Sequence, residues 1–553
     1  MKRINLLYGL FIAFLLPACY DDLGSYDYHE INEIEVDSIL SRYNCDADDS
    51  LCIYPSIRGN QYSDTSRFTY EWEIGRETVA TTHDLQIVVN MLPGYKFSRF
   101  IVKDKETGVK KYYTFHVNVS SSTAGDLLMV FSKYEGRAEL SYLRLDKEAN
   151  WVVNYYQDRF GSKLGTNPQQ LGIIYTQLAK AYPFCNASGQ LMVLADDQIR
   201  IINKQTLMPD TVTPYLTGDA YTGLSTYPPA DVSNYKPQFI DEGLNEWRIQ
   251  TFYNTTYYNN AVMQISGGTL YYAFLGSFGL SFAYNVKSPY KGSLCPFGYW
   301  DDMTNTESKG TNKNMGYEVG DFILFDRTAH RFLYSGAYGG LTSSDEADVK
   351  AFPDYDNFQW GSATNITDNT SIAVLNNGSI CRMLMFQKGT NSQGSATKKL
   401  IKDIAAGSVV TPETKFYMMK YNENLFFATG DKLYRYNVLN LQSGIAPNES
   451  NLVLKLSDYG YDANAKITSM FVSRTEKTLF LGISRYGSDE EANGEEAKGD
   501  ILWFELNSTT LQLTHRPDKS AKGISGIPVE VKVKYQTHWR DGLNTKDQLV
   551  DNI

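Results

Sequence analysis

Side chains that could transfer protons or attack a substrate occur throughout the chain, but their spacing forms no known catalytic motif. The six histidines include no pair at i and i+4 with an adjacent glutamate, so the helix motif of zinc peptidases is missing. Gly523-Ile524-Ser525-Gly526 is followed by Ile527, which breaks the G-x-S-x-G pattern of serine hydrolases. The sequence also lacks phosphate-binding glycine loops and dinucleotide fingerprints. We therefore predict no catalytic residue, no metal site and no cofactor.

A pair of carboxylates is the catalytic arrangement that a motif search cannot find. Glycosidases use two carboxylates about 5 to 9 Å apart, and residues distant in sequence can supply them. With 63 Asp and Glu residues in the chain, a surface enzyme that degrades polysaccharide remains an alternative.

Aromatic and amide residues cluster in three segments that we interpret as loops, 254–260, 297–302 and 355–360. Aromatic rings stack on sugar faces or peptide side chains, and they also anchor protein partners. Equally, such rings can close long loops as local hydrophobic clusters. The candidates for binding a ligand or partner are Tyr257, Tyr258, Tyr299, Trp300 and Trp360.

The N-terminus has the pattern of an export signal. Lys2 and Arg3 precede an apolar stretch from Leu6 to Leu16, which is too short to span a membrane. Leu16-Pro17-Ala18-Cys19 resembles the lipobox of bacterial lipoproteins, and the resemblance implies that residues 1–18 are removed and that Cys19 is acylated. An ordinary secretory signal followed by a chance cysteine is the alternative.

Residues 19–28 are acidic and polar and lack helix or strand periodicity, so we predict a flexible tether. The segment resembles the signal by which one group of Gram-negative gut bacteria sends lipoproteins to the outer face of the outer membrane. The expected location is therefore the cell outer membrane, lipid-anchored and facing outward.

The mature chain is acidic. Without residues 1–18 it carries 50 Lys and Arg against 63 Asp and Glu, a formal net charge of −13. Nucleic-acid binding depends on neutralising phosphates with Lys and Arg, so we exclude a nucleic-acid partner.

Six cysteines are present. Cys45 and Cys52 flank a short polar segment, and in an exported protein they are the expected disulfide pair. The other cysteines, apart from Cys19, are far apart in sequence and have no metal-ligand spacing; they are Cys185, Cys295 and Cys381.

Residues 29–120 are predicted to form a small antiparallel β-sandwich. Segments 68–74 and 113–119 alternate apolar and polar side chains, which places Phe68, Tyr70, Trp72 and Ile74 on one face. A half-buried Trp in about ninety such residues is typical of an immunoglobulin-like sandwich.

The Tyr70-x-Trp72 strand and the Val102-Lys103-Asp104…Thr107-Gly108 hairpin resemble the polycystic-kidney-disease (PKD) type of Ig-like module. The usual Trp-Asp-Phe-Gly-Asp-Gly continuation is replaced by Trp72-Glu73-Ile74-Gly75. More specifically, the chain resembles PKD-like surface lipoproteins associated with starch-utilisation-type (SusC/SusD-like) nutrient importers. The resemblance covers about the first fifth of the chain, together with the order of its predicted domains.

From residue 121 to residue 553 one pattern recurs: a turn, an apolar strand, a break of small residues, and another strand. Copies start near 127, 189, 268, 331, 371, 424 and 478. The fold is therefore predicted to be all-β, with the sandwich followed by a β-propeller-like domain of six to eight blades.

The family resemblance implies a non-catalytic accessory lipoprotein. Such a protein would bind a nutrient, either peptide or glycan, or dock on a TonB-dependent importer barrel and its lid lipoprotein. A surface polysaccharide-degrading enzyme and an adhesin or scaffold are the alternatives. In each case the sandwich would space the propeller from the lipid anchor.

Overall fold

The computed structural model describes residues 32–47, 49–60, 64–146, 148–174, 190–209, 323–335, 341–343, 352–364, 370–390, 396–419, 422–486 and 498–535, together with the backbone of short strand segments between 237 and 296. The chain divides into two compact units, residues 1–122 and 123–553. Both are built from β-strands, so the predicted all-β class is confirmed.

The first unit is an Ig-like sandwich. Its described strands are β1 (Ile34–Asp37), β2 (Arg42–Asp46), β3 (Ser50–Ile53), β4 (Ser56–Gly59), β5 (Phe68–Ile74), β6 (Glu77–Ala80), β7 (Leu85–Val88), β8 (Gly94–Asp104) and β9 (Lys110–Ser120). Five strands form one sheet in the order β2-β9-β8-β5-β6, and the pairs β1-β4 and β3-β7 make up the rest. β2 pairs with β9 in parallel, and the other pairs in this unit are antiparallel.

Trp72 lies at the centre of the sandwich core. Its ring is fully buried and stacks on Phe100 with 4.0 Å between ring centroids. Its indole N–H donates to the carbonyl of Thr82 at 2.9 Å, so the only polar group on the ring is satisfied. The predicted alternation of β5 is confirmed, because Phe68, Trp72 and Ile74 all join this core.

The hairpin between β8 and β9 is held by one buried carboxylate. Asp104 accepts hydrogen bonds from the backbone N–H groups of Glu106 (2.9 Å) and Thr107 (3.1 Å), which fixes the turn. It also accepts from Arg67 Nε at 2.9 Å and from Asn32 Nδ2 at 3.4 Å. Burial alone would raise the pKa of Asp104, but these four bonds outweigh it and lower the pKa to about 2.

The second unit begins with β10 (Leu127–Tyr134), β11 (Arg137–Arg144), helix α1 (Tyr156–Phe160), β12 (Pro168–Ile174), β13 (Gln190–Ala195) and β14 (Gln198–Asn203). It continues with β15 (Pro237–Asp241), β16 (Gln250–Phe252), β17 (Thr255–Tyr257), β18 (Asn260–Ser266), β19 (Thr269–Ser277), β20 (Leu280–Lys287), β21 (Leu294–Pro296), β22 (Ile323–Asp326), β23 (Arg331–Ser335) and β24 (Leu341–Ser343). The remaining strands are β25 (Asn357–Thr364), β26 (Thr370–Asn376), β27 (Cys381–Thr390), β28 (Ala396–Ala405), β29 (Lys415–Met418), β30 (Asn424–Thr429), β31 (Lys432–Asn437), β32 (Leu452–Lys455), β33 (Lys466–Val472), β34 (Thr478–Ser484), β35 (Gly499–Leu506), β36 (Leu513–His515), β37 (Ala521–Ser525) and β38 (Ile527–Lys534).

These strands form a propeller-like succession of sheets. Besides the short β16-β17 hairpin, the described residues of the second unit contain seven sheets of three to five strands. Most of these sheets consist of consecutive strands, such as β25-β26-β27-β28. The first strands of neighbouring sheets contact one another, as β25 does with β29 and β29 with β33. This is the arrangement of propeller blades around an axis.

The last described strand joins the beginning of this unit. β38 pairs antiparallel with β10, so one sheet, β11-β10-β38, combines the first and last described strands of the unit. β38 also contacts β33 of the preceding sheet and β12 of the following one. Pairing of this kind closes the succession of sheets into a ring, as in a propeller.

Candidate functional site

A polar cleft on the second unit begins at the tight turn between β10 and β11. Glu135 (φ 48°) and Gly136 (φ 72°) both have positive φ, as a two-residue hairpin turn with the right twist requires. The turn brings Tyr134, Glu135 and Arg137 to the same end of the sheet.

The opposite wall is helix α1, whose start is fixed by a buried carboxylate. Glu139, on β11, accepts hydrogen bonds from the backbone N–H groups of Tyr156 (2.9 Å) and Gln157 (3.4 Å). It therefore satisfies donors that the first turn of a helix leaves without partners. Asp158, the next residue of this helix, lies at the rim of the cleft, and its side chain is 79% exposed.

Asn154, on the floor of the cleft, contacts the turn between β37 and β38. This residue is 6% exposed and has a positive φ of 43°, a conformation that Asn adopts more readily than most residues. Its Oδ1 accepts from Gly526 N–H at 3.2 Å and from Ser141 Oγ at 3.3 Å. A side chain at Gly526 would collide with the Lys133 carbonyl, so glycine is needed there.

The volume of this open cleft is about 530 Å³, within the range of small-molecule sites. The lining residues are Tyr134, Glu135, Arg137, Val153, Asn154, Asp158 and Gly523.

Arg137 organises the charges of the cleft. Its Nε donates to Glu139 Oε1 at 2.9 Å, and its guanidinium lies 5.5 Å from the centre of the Tyr134 ring. Burial raises the pKa of Glu139, while Arg137 and the two helix N–H groups oppose that shift. The terminal nitrogens of Arg137 lie farther from the rim carboxylates, 3.9 Å from Glu135 and 4.0 Å from Asp158. The negative charge of Glu139 offsets the positive charge of Arg137. Glu135 and Asp158 therefore give the mouth of the cleft, where it opens to solvent, a net negative charge.

Trp360, predicted to lie in a loop, is in strand β25. Its ring is half-buried and stacks on Phe416 of β29 with 5.1 Å between centroids, against a hydrophobic core. Its observed environment is therefore packing between neighbouring sheets. Tyr257 ends strand β17, but its side chain lies outside the described residues. The other predicted residues also lie outside them; they are Cys19, Tyr258, Tyr299 and Trp300.

The predicted disulfide between Cys45 and Cys52 is not formed in this structure, where both are free thiols. The strand alternation explains this correction. Leu51 and Ile53 point into the sandwich core, so Cys52 between them faces solvent, whereas Cys45 packs against that core. Cys381 is buried, as expected for a thiol outside any disulfide, and burial raises its pKa to about 11. The side chains of Cys185 and Cys295 lie outside the described residues.

The cleft was not predicted, because its residues form neither an aromatic cluster nor a known motif in the sequence. The one local signal was Glu135-Gly136 between two apolar stretches, which is a turn pattern. Nothing in the sequence pairs that turn with Asp158, or with Asn154 and Gly523.

The first unit carries a second candidate surface on the solvent side of its five-stranded sheet. Tyr95 stacks on His116 with 4.6 Å between ring centroids, and Phe97 meets the same imidazole edge-on at 5.8 Å. Tyr112 lies on the same side, beneath the Arg99 guanidinium. Tyr95, Phe97 and Tyr112 are 55%, 49% and 49% exposed. We call these three residues and His116 the aromatic face.

The described residues contain no group of three or more His, Cys, Asp or Glu side chains placed to hold a metal ion. Within the same part of the chain, no helix has the length and apolarity to cross a membrane.

Three solved structures illustrate what the chain resembles. One is a quinoprotein alcohol dehydrogenase-like protein from Bacteroides thetaiotaomicron, 10% identical, with 89% of this chain and 96% of that chain covered and a TM-score of 0.44. Another is a protein of unknown function from Bacteroides caccae, 7% identical, with 74% and 98% covered and a TM-score of 0.25. The WD40 domain of SCAP from fission yeast is 11% identical, with 66% and 74% covered and a TM-score of 0.26.

No curated protein matches the chain. A family model does match its N-terminal part, and the match extends from the sandwich into the first strands of the second unit. The predicted PKD-like character of this part is confirmed: residues 19–168 match the PKD-like family.

Proposed function

We propose that the protein is a surface lipoprotein that binds an extracellular peptide or glycan and assists an outer-membrane importer. The observation that carries the binding role is the cleft, where hydrogen-bond donors and acceptors converge. Ligand sites use a small number of converging polar groups to fix the orientation of the ligand.

A binding role fits the cleft better than hydrolysis. Glu135 and Asp158 are 53% and 79% exposed, and the Arg137 guanidinium lies beside both. A carboxyl group that serves as a general acid is typically held in an apolar pocket, whereas both of these carboxylates face solvent. Glu139 is buried, but it is engaged by Arg137 and by the start of helix α1.

Docking on the importer is supported by the aromatic face and by the length of the tether. Exposed Tyr and Phe side chains beside Arg are typical of protein interfaces. About fifteen residues separate Cys19 from β1, so the sandwich can lie at most about 50 Å from an acyl anchor. A barrel in the same membrane is within this reach.

The lipid anchor is tested by the substitution Cys19→Ser. Acyl chains stabilise membrane attachment by about 0.8 kcal/mol per buried CH2, so the wild-type protein should stay with the outer membrane. The variant should be recovered in the soluble fraction, without the mass of the lipid. Protease added to intact cells should digest the wild-type protein.

Cys52→Ser is the matched control, because Cys52 is exposed and free; it should behave as the wild type. Membrane retention of Cys19→Ser with an unchanged mass would contradict the anchor. Protection of the wild-type protein from protease in intact cells, with digestion after lysis, would contradict its surface position.

A further inference from the structure

The cleft has more hydrogen-bond acceptors than donors at its mouth. Three carboxylates, Glu135, Glu139 and Asp158, surround the single guanidinium of Arg137. Three charged carboxylates offer about twelve acceptor positions, against the five N–H donors of one arginine. Glu139 uses its acceptors on Arg137 and helix α1, so the unused capacity belongs to Glu135 and Asp158.

Arg137 cannot satisfy both rim carboxylates. Its Nε is held by Glu139, and its guanidinium lies over the Tyr134 ring. The distances of 3.9 Å to Glu135 and 4.0 Å to Asp158 are too long for hydrogen bonds. The two carboxylates approach different terminal nitrogens of Arg137, and both are largely exposed, so each can still accept from a cationic group of a ligand.

Asn154 supplies an independent sign of a ligand. It lines the cleft and is 94% buried. Its Oδ1 accepts from the Gly526 backbone N–H, which fixes the orientation of the amide. Its Nδ2 donates to no group among the described residues. Because Asn154 lines the cleft, a carbonyl oxygen of a ligand bound there would accept from this Nδ2.

We propose that the cleft binds a peptide through a lysine or arginine side chain. The ammonium or guanidinium donates to Glu135 and Asp158 at the mouth of the cleft, and a carbonyl of the peptide accepts from Asn154 Nδ2. Val153, which is 40% exposed, and Tyr134 offer apolar surface to the methylene stem. This inference rests on the proposed binding function and narrows its ligand class to basic peptides.

A neutral glycan complements the cleft less well. Each sugar hydroxyl both donates and accepts, whereas the rim needs donors alone. An anionic ligand would meet the net negative charge of Glu135 and Asp158. A basic side chain has donors only and carries the opposite charge.

The test is calorimetric titration of the full-length protein with acetyl-Gly-Lys-Gly-amide at low ionic strength. The same peptide with an acetylated lysine has the same backbone without the charge, and maltohexaose serves as the neutral glycan. We expect the lysine peptide to bind at least about tenfold more tightly than the acetylated one, because two partly exposed ion pairs together are worth about 1.4 kcal/mol. Raising the salt should weaken this binding.

The double variant Glu135→Gln/Asp158→Asn should lose that tenfold preference and keep its thermal stability, because both side chains are exposed. Glu449→Gln is the matched control, since Glu449 is a 63% exposed carboxylate paired with Lys432 elsewhere in this unit; it should keep the preference.

Equal binding of the charged and acetylated peptides would overturn the inference. So would binding of maltohexaose alone that is lost in the double variant, although the cleft would then still be a ligand site. If none of the three probes binds the wild-type protein, the inference fails together with the binding role of the cleft.

Discussion

A chain that ends at Gly526 should fail to fold its second unit. The truncation removes β38, whose backbone pairs with β10 from Leu127 to Lys133. It also removes Val531 and Val533, which are at most 2% exposed and belong to the core that β38 shares with β10, β34 and β35. The loss would expose that core and leave the ladder groups of β10 without partners.

Side chains of β38 add contacts that no other strand can replace. Glu530 accepts from the backbone N–H of Leu171 on β12, and Lys532 donates to the carbonyl of the same residue. Lys534 is fully buried and donates to the carbonyls of Thr123 and Lys204, the latter at 3.0 Å. Burial lowers the pKa of Lys534 well below its usual range. The strand therefore joins the first residue of the unit to β12 and to the end of β14.

Thermal unfolding and limited proteolysis measure the effect. A chain that ends at Tyr535 keeps β38 and serves as the control; it should unfold cooperatively and resist protease. The shorter chain should show no cooperative transition for residues 123–526, while the sandwich keeps its own. If that region of the shorter chain unfolded cooperatively at the same temperature as in the control, the proposed role of β38 in closing the unit would be wrong.

Asp104→Ala should destabilise the sandwich by about 3 kcal/mol, because it leaves Arg67 and two turn N–H groups without their buried acceptor. The effect should depend on pH. The pKa of Asp104 is lowered to about 2 in the folded protein, from an ordinary value of 3.8. A lowered pKa stabilises the fold above the unfolded value, so the contribution is complete above about pH 4 and is lost as the pH falls toward 2.

Hydrogen exchange of β8 and β9 in the full-length protein, followed by mass spectrometry between pH 2 and pH 7, reports this stability. Asp37→Ala is the matched control, because the Asp37–Arg58 pair has side chains 56% and 68% exposed. Exposed pairs contribute at most about 1 kcal/mol. Equal losses in the two variants, or an Asp104→Ala loss that persists at pH 2, would contradict the role given to Asp104.

Strands buried on both faces were the easiest to predict. The apolar segments 371–375, 424–430 and 478–482 correspond to β26, β30 and β34, the second strands of their sheets. The strand that closes the second unit was harder to predict. β38 mixes Glu530, Lys532 and Lys534 with valines, and its pairing with β10 spans nearly the whole unit, a distance over which local patterns carry no information.

The candidate site was also hard to predict, because residues distant in sequence form it. Trp360 was selected for its chemistry alone, but its position in β25 makes it a packing residue between sheets. Arg137 and Asp158 lie in ordinary sequence and acquire a role only because Glu139 holds the start of helix α1 beside the β10–β11 turn. The side chain of the buried Asn154 is held by a hydrogen bond from Gly526, which is more than 370 residues away in sequence.

The proposed role as an importer accessory is tested most directly by purifying the tagged, full-length lipoprotein from its native outer membrane in mild detergent. We predict that an importer barrel and its lid lipoprotein co-purify in stoichiometric amounts. The variant Tyr95→Ser/Phe97→Ser, which alters the aromatic face without touching the buried core, should lose them while remaining in the membrane. Recovery of the wild-type lipoprotein alone would contradict the account.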